Sequence, residues 1–227
     1  TPSRPCTPPS TTTSATGRLI EDSSGNAGAA MAAYCAYGNL PCTVYAPADA
    51  PAAKLHHIAC LGAELVPVAG TRQDVADAAI AASDSGYYAG HGWNPFFPEG
   101  TKTFAFELAE QLGALTPAAV FFPVGNATLL LGAWLGFQQL LSAKLIPRIP
   151  RLFAAQAANC APLAAARSGT AGPFVPEDTL ADGIKVAQPP RLKQILRAVE
   201  ESVGKVVTVP EDDILLDWRL LCKNGFF

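Results

Sequence analysis

An α/β fold built on parallel sheets is what the sequence predicts, on three observations. From Gly17 onward, short apolar or β-branched runs alternate with helix-patterned stretches, and that alternation argues for βαβ units. Glycines stand where the helical patterns stop, at Gly38, Gly62 and Gly113, as helix ends favour. The run Ala119–Val124 is apolar without a break, which is the pattern of a strand buried on both faces.

The elements follow in order. Arg18–Glu21 reads as a short strand and Asn26–Tyr37 as a small-residue helix. Cys42–Tyr45 is the next strand, Ala52–Leu61 a helix and Glu64–Val68 a strand. Gln73–Ser83 is a helix, Tyr87–Tyr88 a strand tip, and His91–Pro98 an aromatic loop interrupted by prolines. Glu99–Leu112 carries Phe104, Leu108 and Leu112 one helical turn apart, which argues for a helix. Strand Ala119–Val124 leads into a mostly apolar helix at Leu129–Leu141. Leu152–Ala155 is a strand, Arg191–Ser202 a helix and Lys205–Val209 a strand. Glu211–Cys222 closes the series as an amphipathic helix whose acidic residues occupy its first turn, where they suit the helix dipole. Gly225-Phe226-Phe227 reads as the start of a further strand, so the chain is expected to be cut short there.

Residues 1–16 differ from the rest: thirteen of them are Thr, Ser or Pro. Such a segment buries too little surface to offset the entropy of ordering it. It is expected to be a disordered or non-homologous tail, native or read out of frame. Over the whole chain 49% of residues are hydrophobic and 15% charged, which suits a buried α/β core. The net charge of −3 provides no basic footprint for nucleic acid or a membrane surface. The six cysteines show no metal-ligand spacing, so reduced thiols, no metal and a cytoplasmic location are expected.

Two turns stand out chemically. Glu21-Asp22-Ser23-Ser24-Gly25-Asn26-Ala27-Gly28 passes from strand to helix, and its polar residues fall where a new helix has unpaired N–H groups. Free donors and the positive end of the dipole make such a place ready for an anion. Pro123-Val124-Gly125-Asn126-Ala127-Thr128 forms a second strand–helix corner, with Gly and Asn tolerating positive φ. In isolation it reads first as a plain turn, since strand–helix corners with Gly and Asn are common. His56 and His57 are neighbours and point about 100° apart on a helix, so they do not form a metal pair. His91 reads as a surface or satisfied histidine, Glu99 as an acidic first-turn residue and Lys102 as a solvated helix lysine.

The first turn resembles the asparagine loop of the fold-type II pyridoxal-phosphate (PLP) enzymes, and among them the threonine synthases. Asn94-Pro95-Phe96-Phe97-Pro98-Glu99-Gly100-Thr101-Lys102-Thr103 and the Gly62-Ala63-Glu64-Leu65-Val66 strand entry resemble the same family. The resemblance implies a two-lobed α/β architecture with parallel sheets, incomplete at both ends. The smaller lobe would span residues 17–85 and the larger 86–227. It implies that Ser23, Ser24, Asn26 and Ala27 hold the substrate carboxylate, Asn26 also meeting the cofactor ring. Gly125, Asn126, Ala127 and Thr128 would hold the cofactor phosphate, although this loop has fewer glycines than the commonest family form.

The implied activity is conversion of O-phosphohomoserine to threonine and phosphate. The implied partners are a small amino-acid substrate and a second copy of the chain, without nucleic acid or membrane. No lysine precedes Lys54, whereas the family's Schiff-base lysine lies before the asparagine loop. No catalytic residue is therefore assigned, PLP would be held non-covalently, and the chain alone is expected to be inactive. Serine/threonine dehydratases, diaminopropionate ammonia-lyase and cysteine synthase share the fold and remain alternatives. So do a non-catalytic ligand-binding domain and the product of a decayed gene.

Overall fold

The computed structural model describes residues 17–113, 116–169 and 174–226. The expectation of a tail at 1–16 lies outside them. The chain divides into two compact units, the first ending at Asn94 and the second beginning at Pro95. The sequence reading put a lobe boundary after Ser85. Strand Tyr87–Tyr88 nevertheless belongs to the first unit, because it pairs with the strand at Leu19–Glu21.

In the first unit, β1 (Leu19–Glu21), β2 (Cys42–Pro47), β3 (Glu64–Val68) and β4 (Tyr87–Tyr88) form one sheet in the order β3-β2-β1-β4. All the pairings are parallel. Three helices connect them: α1 (Asn26–Tyr37), α2 (Ala52–Cys60) and α3 (Arg72–Ala81). Two separate clusters fill this unit. Ala32, Cys35, Cys42, Val44 and Ile58 pack α1 and α2 against β2. Ile20, Ala79 and Tyr88 pack α3 against β1 and β4, with Tyr45 joining them. Val44 and Tyr45 serve different clusters because successive strand residues face opposite ways.

In the second unit, β5 (Ala119–Pro123), β6 (Arg151–Ala157) and β7 (Val206–Val209) form a parallel sheet in the order β5-β6-β7. Its helices are α4 (Phe96–Thr101), α5 (Thr103–Leu112), α6 (Thr128–Ser142), α7 (Pro162–Arg167), α8 (Leu192–Glu201) and α9 (Glu211–Lys223). The core joins Phe122, Leu152 and Ala154 of the sheet to Leu130, Phe137 and Leu140 of α6 and to Ile195 and Val199 of α8.

Three local outcomes differ from the sequence reading. The helix expected over Glu99–Leu112 is two helices, and the first begins at Phe96 inside the expected loop. Pro98 is tolerated as the third residue of α4 because the N–H groups of a first turn lack intrahelical partners anyway. Helix α7 was not expected; Pro162 opens its short Ala-rich run. Helix α9 has the expected acidic first turn but no buried residue, and Leu216, Trp218 and Leu220 stand exposed. Gly225 and Phe226 form no strand, and Phe227 lies outside the described residues.

Candidate functional site

The strand order of the first unit marks where a ligand belongs. From β1 the chain moves outward to β2 and β3, then crosses back to place β4 on the other side of β1. In open parallel sheets the crevice outside the carboxyl ends of the strands, at such a reversal, is the binding position. The segment leaving β1 at that point is the Ser23–Asn26 turn.

Several local features shape this turn. Gly25 is the N-cap of α1, no side chain caps the helix, and its first turn carries no acidic residue. The Gly25 N–H donates to Ser23 Oγ at 3.2 Å, and the Ala29 N–H to the Gly25 carbonyl at 3.1 Å. The opening amides of α1 thus precede the intrahelical ladder. Asn26 is exposed, and Ser23, Ser24 and Ala27 are half-buried. Gly28 is required for a steric reason: a Cβ there would stand 1.9 Å from the Ser23 carbonyl oxygen. The turn folds directly onto the helix it starts.

Beneath the turn lies an ion-pair network. Glu21 and Asp22 are buried, at 0% and 3% exposure. Arg72 Nη2 donates to Asp22 Oδ2 at 2.6 Å, and His91 Nδ1 stands 3.1 Å from Glu21 Oε1. A capping box sets the start of α3, and hence Arg72 at its first position: Asp74 N–H donates to Thr71 Oγ1 while Thr71 N–H donates to Asp74 Oδ2. Burial pushes the Glu21 carboxyl above its ordinary range, with Asp22 adding to the rise and the His91 bond opposing it. Burial works against a charged His91, but the bond and charge of Glu21, helped by Asp22, outweigh it and raise its pKa. Tyr88 is pushed up by burial and then by Asp22, and so stays neutral. Cys42 is pushed up to about 12, first by burial and then by Cys35 and Glu21.

Glu21, Asp22 and His91 each bring one ligand atom within 4.8 Å of the others, the spacing of a metal site. The arrangement nevertheless balances its own charge, with Arg72 against Asp22 and a proton-holding His91 against Glu21. His91 is therefore a half-buried, satisfied histidine, the second of the two readings made from the sequence. The folded state binds protons at both Glu21 and His91 more tightly than the unfolded chain does. Stability of the first unit is accordingly expected to fall as pH rises from 6.5, the ordinary histidine value, through the raised value of His91. Urea unfolding followed across that range checks the sign.

The second turn lies in the second unit, between β5 and α6. Ala127, the N-cap of the fifteen-residue α6, has φ 54° and ψ 25°, no side chain caps the helix, and its first turn holds no acidic residue. This left-handed residue turns the chain so that the opening amides of α6 precede the first intrahelical bond, from Leu131 N–H to the Ala127 carbonyl. Gly125 and Ala127 are buried, and Asn126 and Thr128 half-buried. A Cβ on Gly125 would meet Val186 Cγ2 at 3.0 Å and Ile184 Cα at 3.2 Å. Buried Gln156 braces the corner: its Nε2 donates to the Val124 carbonyl at 3.4 Å, and its Oε1 accepts from Leu163 N–H at 3.0 Å. Thr101 Oγ1 donates to the Thr128 carbonyl at 3.0 Å. This donor set, a long helix start with no acidic residue in its first turn beside a glycine corner, fits a phosphate.

Each expected site residue thus lies on one of the two turns. Arg72, Gln156 and the pairing of His91 with Glu21 were missed. The one available signal was Asp22, since a carboxylate at a buried strand end needs a cation. His56 and His57 are exposed on α2. Lys102 is not a solvated lysine: its side chain is 16% exposed and its ammonium pairs with Glu99.

Comparison with known proteins shows the family. The family profile described as "Pyridoxal-phosphate dependent enzyme" matches residues 10–227. Threonine synthase of Methanocaldococcus jannaschii is 32% identical over 211 residues, 90% of this chain and 52% of that protein. Threonine synthase of Mycobacterium bovis is 30% identical over 90% of this chain and 56% of its own length. The chain thus spans about half the length of the curated relatives it matches. Among solved structures, the processed form of threonine deaminase isoform 2 from Solanum lycopersicum aligns with TM-score 0.69 at 23% identity, covering 86% of this chain and 52% of that one. Serine racemase from Dictyostelium discoideum aligns with TM-score 0.71 at 24% identity, covering 92% and 64%. Among the described residues no helix is long and apolar enough to cross a membrane. By profile and by its parallel α/β fold, this chain belongs to the pyridoxal-phosphate dependent enzymes of fold-type II.

Proposed function

We propose that the chain carries the substrate-carboxylate turn and the cofactor-phosphate turn of a threonine-synthase-type enzyme, whose reaction converts O-phosphohomoserine to threonine and phosphate. One observation carries this reading. The Glu21–Gly28 stretch that resembles threonine synthases leaves β1 at the point of the sheet where strand order reverses.

In this reading the opening amides of α1, with Ser23, Ser24, Asn26 and Ala27, take the carboxylate of an amino acid. Gly28 lets the Ser23 backbone lie against α1, which aims those donors. The amides of Thr128 and its neighbours, with Gly125, Asn126 and Ala127, take the cofactor phosphate. When bound, pyridoxal phosphate supplies the electron sink that makes a carbon–hydrogen bond of the amino acid acidic. The chain's share is grip and orientation. No residue of it is assigned the lysine's proton transfers, and a missing general acid/base costs about 10²–10⁴-fold in rate. Binding without appreciable turnover is the behaviour that follows.

The test is to add pyridoxal phosphate to the purified chain, follow its absorption, reduce with borohydride and map the peptides. Reversible binding without a covalent label is expected, and Gly125→Val should weaken it about tenfold or more, since the site lies at a backbone approach with no room for a side chain. A stoichiometric label at Lys54 or Lys102 would instead reveal a relocated catalytic amine. No binding at all would overturn the reading.

A further inference from the structure

We propose that Glu21 and His91 form a positioning latch beneath the Ser23–Asn26 turn: joined, they fix the turn at the end of β1 and cancel a negative charge that would otherwise oppose a carboxylate ligand. The inference rests on the reading of this turn as a carboxylate site.

The placement carries the argument. β1 and β4 run side by side, and the Ala89 N–H donates to the Ile20 carbonyl at 2.7 Å near the carboxyl ends of both strands. Just beyond that bond, Glu21 on one chain segment meets His91 on the other at 3.1 Å. Glu21 is the last residue of β1, and Ser23 follows after a single residue. On the α3 side Arg72 holds Asp22, and on the α1 side the missing Cβ of Gly28 admits Ser23. The turn is therefore secured towards β4, α3 and α1.

The charge argument is independent of the steric one. Two buried carboxylates at the base of an anion site would repel the anion unless each were neutralised, and low-dielectric surroundings strengthen that repulsion. Arg72, from α3, answers Asp22 through an ion pair at 2.6 Å. His91 answers Glu21 only while the pair holds its proton. The other groups facing the pair do not alter this balance in that range: Tyr88 of β4 and Cys42 of β2 both remain neutral. The pair titrates jointly, so a single upper step converts it from neutral to a net negative charge.

The decisive experiment is a pH series of L-threonine binding to the full chain, read from the backbone amide signals of Ser23, Ser24, Asn26 and Ala27, with L-threonine amide, which lacks the carboxylate, as the control. Affinity for L-threonine, and not for the amide, should fall roughly fivefold to tenfold across one step above pH 6.5, the ordinary histidine value. In Glu21→Gln and in His91→Gln the step should move to lower pH, because each single change removes the partner that holds the proton. In the double variant it should vanish. A flat wild-type profile, or a step unmoved in both single variants, would overturn the latch while leaving the carboxylate site standing. Failure of L-threonine to shift those amides at any pH would instead overturn the carboxylate reading. Amide exchange in the ligand-free chain then decides the latch: faster exchange at Ser23 and Ser24 in His91→Gln supports it, and unchanged exchange overturns it.

Discussion

Gly28→Ala is expected to destabilise the first unit by about 3 kcal/mol and to remove binding at the turn. The added methyl would lie 1.9 Å from the Ser23 carbonyl oxygen and 3.2 Å from Ile58 Cδ1. Ile58 is the end of a flexible side chain and can shift. The Ser23 carbonyl is backbone, and it cannot move without carrying Ser24, Gly25 and the start of α1 with it. Displacement is resisted on the β1 side as well, since Asp22 is held by Arg72. An alanine would otherwise favour a helix by roughly 0.5–1 kcal/mol over glycine, so propensity alone predicts the opposite sign. Urea unfolding with amide spectra of Ser23–Ala27 separates the two accounts. A Gly28→Ala chain as stable as the wild type, with unshifted amides, would refute the packing.

Gly132→Val should be comparably damaging in the second unit, by about 3 kcal/mol, and should loosen the turn proposed to hold the phosphate. A Cβ at Gly132 would meet Thr101 Oγ1 at 2.1 Å and the Lys102 backbone nitrogen at 2.8 Å. One helical turn on, a Cβ at Gly136 would stand 2.5 Å from the Lys102 carbonyl oxygen. These two glycines let α6 lie directly against the junction of α4 and α5. Thr101 also donates to the Thr128 carbonyl at the first residue of α6. Forcing the helices apart therefore breaks the bond that fixes the start of α6, where the amides proposed to take the phosphate lie. Weaker pyridoxal phosphate binding accompanied by a lower unfolding midpoint is the expected pair of results. Loss of stability with unchanged binding would show that the turn is set by β5 and Gln156 alone.

Much of the fold was legible in the residues themselves. Helix α1 and strand β3 have the bounds read from the sequence. Each is bracketed by turn glycines, and periodicity and local propensity are short-range properties of the chain. The helix split at Lys102 was not legible, because the apolar spacing of Phe104, Leu108 and Leu112 says nothing of how the preceding turn packs. Gly132 and Gly136 lie within an apolar run of the sequence, but their purpose lies in Thr101, Lys102 and Ala105, which meet them from another stretch of sequence. Pairing of β4 with β1 likewise depends on a crossover that no local pattern specifies.

The two turns follow the same division. The sequence by itself determined their chemistry: Ser23-Ser24-Gly25-Asn26 and Gly125-Asn126-Ala127-Thr128 are strand-to-helix corners, and such corners gather free amide donors wherever they occur. Only the tertiary structure decided what stands beneath the first of them. Glu21, Asp22, Arg72 and His91 come from β1, from the start of α3 and from the segment after β4. Their charges cancel only because parallel pairing and strand order bring those distant segments to one edge of the sheet. Charge pairing in a buried place depends on distance in space, and sequence separation carries no such distance until the sheet is assembled.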